Sequence, residues 1–120
     1  MDTRIDVLVQ GAHGDTLEVF REYASRRLSF VTTPFGHRVR GVTVRLVDEN
    51  GPRRGVDSRC SLTADLADGG RIFVEAIAAW PFAAITAAAS RLREALRRDG
   101  ERSAAARRSR VVPVARVAAL

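Results

Sequence analysis

From Arg4 to Gln10 apolar and polar positions alternate, with Ile5, Val7 and Val9 on one side and Asp6, Leu8 and Gln10 on the other. A period of two is that of a β-strand with one buried face. Gly11-Ala12-His13-Gly14 interrupts it, and Asp15 then opens a D-x-x-E signature with Glu18, the pattern of a capped helix start. Leu17, Phe20, Ala24, Leu28 and Val31 follow at helical spacing and form one apolar stripe. This predicts a first helix from about Thr16 to about Phe30, stopping ahead of Pro34, because a proline disfavours helix at the residue before it.

Alternation returns after a Thr33-Pro34-Phe35-Gly36 turn, with Val42, Val44 and Leu46 against Thr43, Arg45 and Val47. A polar loop from Asp48 to Gly55 leads to a third strand, where Cys60, Leu62, Ala64 and Leu66 face inward and Arg59, Ser61, Thr63 and Asp65 face outward. Asp68-Gly69-Gly70 is a hairpin signal. The fourth strand, Arg71 to about Ala78, is apolar on both faces except at Glu75, which predicts a central place in the sheet or one close to the helix layer. Trp80-Pro81 opens a second helix, proline being tolerated where its missing N–H has no partner. Its buried stripe is Phe82, Ile85, Ala89, Leu92 and Leu96, with Ala83-Ala84 and Ala87-Ala88 as the opposite wall, and Gly100 is the expected stop just after Arg98. The order is β-α-β-β-β-α. The expected fold is α+β, a four-stranded, mostly antiparallel sheet with two helices packed on one face and a more polar opposite face.

At 120 residues the chain has room for one domain, placed at 1–101, with 102–120 expected as a basic, disordered tail. No run approaches the roughly 20 apolar residues of a membrane span, and the mixed-charge N-terminus lacks the apolar core of a secretion signal, so a cytoplasmic protein with no membrane partner is expected. One cysteine, Cys60, allows no internal disulfide, and its alternating surroundings give it a packing role. His13 and His37 sit in expected loops with no metal-ligand spacing around them. Neither a nucleophile with its base, a metal cage, paired acids nor a phosphate cradle is legible. The expectation is a non-enzyme without cofactor, metal or small-molecule substrate.

Charge changes the picture. The net charge is +6, and all 20 basic residues are arginine, whose planar fork suits phosphate oxygens and stacks on bases. Arg26 and Arg27 stand near the end of the first helix, and Arg91, Arg93, Arg97 and Arg98 on the solvent side of the second. Glu22 is placed to pair with Arg26, and Glu94 with Arg97 or Arg98. Basic clusters ending both helices of one layer predict a shared groove for a polyanion. On the residues alone two alternatives stay open, a double-stranded RNA binding module and a protein-protein adaptor domain.

Two strings carry a resemblance. Arg21-Glu22-Tyr23 followed by Arg27-Leu28, and Phe82-Ala83-Ala84-Ile85 followed by Arg91-Leu92, Leu96 and Arg97-Arg98, are similar in order and spacing to the two helices of the ribosome hibernation promoting factor and ribosome-associated inhibitor family. That family is also called sigma factor modulation or subunit interface proteins, and the resemblance covers about residues 3–102. It implies a short-form member, a monomer off the ribosome, that binds the small ribosomal subunit and its rRNA at the decoding region. There it would cover the A and P sites and block translation during stress or stationary phase. Carried over by position, Arg27, Arg91, Arg98 and Arg102 match basic positions of the family; Arg26, Arg93 and Arg97 join the RNA-binding set by proximity. The chain departs from the pattern at Trp80 and Thr86, where aspartates are usual, and at Glu94, where a basic residue is common.

Overall fold

The computed structural model describes residues 3–11, 14–48 and 58–108. Four strands, β1 (Arg4–Gln10), β2 (Val39–Asp48), β3 (Ser58–Leu66) and β4 (Arg71–Ala78), form one sheet in the order β1-β2-β3-β4. β1 pairs parallel with β2, and the other two pairings are antiparallel. Parallel neighbours need a crossover connection. Helix α1 (Gly14–Thr32) supplies it, followed by a 3-10 segment (Thr33–Arg38), and helix α2 (Pro81–Arg108) follows β4. This is the expected β-α-β-β-β-α order, with both helices on one face of the sheet.

The register rows carry the period-two pattern across the sheet. Val7, Val44, Leu62 and Val74 stand side by side on the inner face, and Val9, Leu46, Cys60 and Ala76 in the next row. Against them α1 sets Phe20, Ala24, Leu28 and Val31, and α2 sets Ile85, Ala88, Ala89, Leu92 and Leu96, all buried. Cys60 is fully buried in this core, and burial pushes its thiol up to about 12.

Three expectations are corrected. Of the two places expected for β4, the central one fails and the one close to the helix layer holds: β4 is an edge strand whose inner residues lie under α2, while Phe73 and Ile77 are exposed on the outer face. An apolar pattern on both faces reads like double burial, and here half of it faces solvent. Ala84 and Ala88 are fully buried instead of forming a solvent wall, because α2 packs against both the sheet and α1 and needs small residues to come close. Phe82, expected in the stripe, is 40% exposed and closes the groove between the helices with its ring.

The helix ends also differ. α1 begins at Gly14, so Asp15 lies inside the first turn instead of capping it, and it runs on to Thr32. α2 continues through Gly100 to Arg108. Gly100 is a close-approach glycine: a Cβ there would stand 2.9 Å from a terminal nitrogen of Arg38. Arg38 uses that space to pair with Asp99 at 2.8 Å and to donate to the Leu96 carbonyl at 3.4 Å, clamping the turn of α2 that holds Leu96 and Asp99 to the residue just before β2. Of the expected tail, residues 102–108 are therefore helical, and 109–120 lie outside the described residues, as do His13 and most of the Asp48–Gly55 loop.

Candidate nucleic-acid interface

Topology decides where the arginines meet. β1, β2 and β4 run the same way, and each helix doubles back on the strand before it, so α1 and α2 run parallel. The pairings between them rise in step: Phe20 and Tyr23 stack edge-on against Phe82, the Tyr23 and Thr86 hydroxyls hydrogen-bond at 2.7 Å, and Arg93 shares the lining of one cleft with Phe30 and Val31. The C-terminal arginines of both helices therefore lie at the same end of the molecule. Toward the helix N-termini the groove is filled by aromatic rings. Toward the C-termini it opens.

Around α2 the arginines divide into two sets. Residues two apart lie on roughly opposite flanks of a helix, and residues four or seven apart on the same one. Arg91 turns toward the sheet edge, where it donates to the Glu75 carbonyl of β4 at 2.6 Å. Arg98, seven later, and Arg102, four beyond that, continue this outer flank. Arg93 faces α1 and lines a cleft with Phe30, Val31, Thr33 and Pro34, and Arg97 continues that inner flank. The structure thus brings Arg93 and Arg97 to the α1 side together with Arg27, and it sets Arg91, Arg98 and Arg102 on the other side of the helix crest.

Acids occupy the crest itself. Glu94 accepts from Arg97 and, at 3.2 Å, from Arg98; Glu101 accepts from Arg97 at 2.5 Å. The hydrogen bond from Arg97 comes first among the causes that hold the Glu94 carboxyl below the usual glutamate range, and the same bond raises Arg97. Arg26 pairs with Glu22 at 3.3 Å and Arg102 with Asp99 at 3.8 Å. Arg93 has no ion pair or hydrogen bond among the described residues. Arg27 is only partly exposed, and its Nε is buried without a hydrogen-bond partner among them. Seven arginines against Glu22, Glu94, Asp99 and Glu101 leave this end positive. Exposed ion pairs contribute only about 0–1 kcal/mol each, so a phosphate can exchange for the carboxylates at small cost.

The motif residues have structural duties that the pattern did not disclose. Arg21 donates to the Val7 carbonyl at 2.8 Å and ties α1 to the open edge of β1. Tyr23 joins the helices, and Thr86, one of the departures from the family pattern, is its partner. Among the described residues no group of three or more histidines, cysteines and acids is arranged to hold a metal, and no helix is long and apolar enough to cross a membrane.

A family model for the sigma 54 modulation protein / S30EA ribosomal protein matches residues 7–104. The chain belongs to this family of ribosome-associated hibernation and interface proteins. The Thermus thermophilus Protein Y N-terminal domain superposes with a TM-score of 0.61 at 23% identity, covering 80% of this chain and 98% of that one. A ribosomal subunit interface protein from Coxiella burnetii superposes with a TM-score of 0.66 at 14% identity, covering 82% and 99%. At these identities both likenesses speak for the fold. No curated protein matches the chain by sequence.

Proposed function

We propose that the protein binds rRNA of the small ribosomal subunit at the decoding region, over the messenger path and the A and P sites, and so silences idle ribosomes in the cytoplasm during stress or stationary phase. The observation that carries this reading is the parallel helix pair, which gathers the C-terminal arginines of both helices at one end of a member of a ribosome-associated family. Guanidinium groups on two helices form a rigid, preorganised phosphate clamp. Affinity should come mainly from counterion release and fall steeply with salt. A double-stranded RNA module directs a helix N-terminus and a loop at successive grooves; the positive end here is at the helix C-termini.

Co-sedimentation with purified small subunits across a salt series tests the proposal. Arg93→Glu combined with Arg98→Glu takes one exposed arginine from each flank of α2 and leaves the core untouched. Arg27 is the poorer choice, because reversing a partly buried charge strains folding as well as binding. The wild type should pellet with small subunits, and the double variant should bind weakly, with a log–log salt slope shallower by about 2. Unchanged binding in a folded double variant would remove these arginines from the interface. Binding to free duplex RNA but not to subunits would favour the duplex module.

A further inference from the structure

Phe30 lies in the last turn of α1 and is 76% exposed, more than any other large apolar side chain among the described residues. The core stripe on either side of it uses Leu28 and Val31, so Phe30 contributes little to the fold. It forms one wall of an open cleft of about 380 Å³, completed by Val31, Thr33, Pro34 and the Arg93 side chain from α2. The backbone beneath is firmly held. Thr32 and Thr33 donate their hydroxyls to the Leu28 and Ser29 carbonyls at 2.9 and 2.7 Å, and Pro34 has a fixed φ.

A flat apolar ring, presented on a stiff helix end beside a guanidinium without a partner among the described residues, fits a ligand with two properties. It must offer a flat π-face, and it must carry negative charge within a few ångströms of that face. An unpaired nucleotide has both. A base inside a duplex has its faces covered by its neighbours, so it has none to give. We infer that Phe30 is a stacking platform for an unpaired base of the bound RNA, with Arg93 holding that nucleotide's phosphate. This rests on the rRNA-binding reading above and adds to it: the cleft would select single-stranded RNA, where the arginines alone select only charge.

Phe30→Leu keeps an apolar side chain but removes the π-face; Phe30→Trp keeps one. Small-subunit affinity should fall about tenfold in Phe30→Leu, with the salt slope unchanged, and should be retained in Phe30→Trp. Trp80 is the chain's one tryptophan, so Phe30→Trp in a Trp80→Phe background places a single indole at the site. Its emission should be quenched on titration with small subunits, as stacking on a base requires. Wild-type affinity in Phe30→Leu overturns the stacking role and leaves the ribosomal function standing. A blue shift without quenching also overturns it, by placing a protein surface against position 30. If the wild type itself fails to bind small subunits, both readings fall together.

Discussion

Glu94 holds two arginines at once, and it stands between the two basic flanks of α2. Its carboxyl is depressed, first by the hydrogen bond from Arg97, so the pairing is complete at neutral pH and lost as pH falls through the lowered value. Protonation would release Arg98 and leave Arg97 to Glu101 alone. Glu94→Gln imitates that release without acid, and it should strengthen small-subunit binding, because Arg98 no longer gives up a carboxylate when it takes a phosphate. Binding no tighter than wild type in the folded variant would mean that Glu94 does not compete with RNA for these arginines. Cys60 gives a second residue-scale expectation. A fully buried thiol with its pKa raised to about 12 should resist a thiol-modifying reagent in the native protein and react fully after denaturation. Rapid native labelling would contradict the core position. The packing role of Cys60 was legible in its alternating neighbours, as was the pairing of Arg26 with Glu22. Which arginine lacks a partner among the described residues was not legible, because that depends on contacts across elements: Arg91 meets a carbonyl of β4, while Arg93 lines the cleft at the end of α1.

Elements were read well in their middles and poorly at their ends. The strands and helical stripes follow local periodicity, but Gly100, which reads as a stop, is instead a point of close approach inside α2, where Arg38, more than sixty positions earlier, occupies the space a side chain would take. Arg38→Ala should therefore loosen the last turns of α2, giving faster amide exchange after Leu96 with little change nearer Pro81. Uniform exchange along the helix would deny the clamp. The β1 end is stricter. Gly11 has φ +90°, and a Cβ there would lie 2.3 Å from the Asp48 carbonyl oxygen, so neither backbone nor neighbour can yield easily. Gly11→Ala should lower unfolding free energy by about 1–3 kcal/mol in denaturant titration; a neutral result would contradict the parallel β1–β2 closure. For β4 the place close to the helix layer was legible and the edge position was not, since exposed Phe73 and Ile77 copy the pattern of a strand buried on both sides.

At the scale of the whole molecule, one topological fact organises the proposed function. A single parallel pairing, β1 with β2, followed by two antiparallel ones, makes the helices parallel and puts both sets of C-terminal arginines at one end. Had the helices been antiparallel, the same sequence clusters would stand at opposite ends, with no common surface for a phosphate backbone. Composition and helix-end charge made a polyanion partner legible. The split of the arginines across the crest of α2 could have been read from the two-residue offset between Arg91 and Arg93, and the reach of Glu94 to Arg97 or Arg98 was legible in its spacing; three dimensions add that it holds both at once and that Glu101 joins it on Arg97. The most direct test is hydroxyl-radical footprinting of small-subunit rRNA with the wild-type protein at low salt. Protection confined to the decoding region, fading as salt rises and absent with Arg93→Glu plus Arg98→Glu, is the predicted outcome. Protection elsewhere on the subunit, or none under conditions where the protein co-sediments with it, would contradict the proposal.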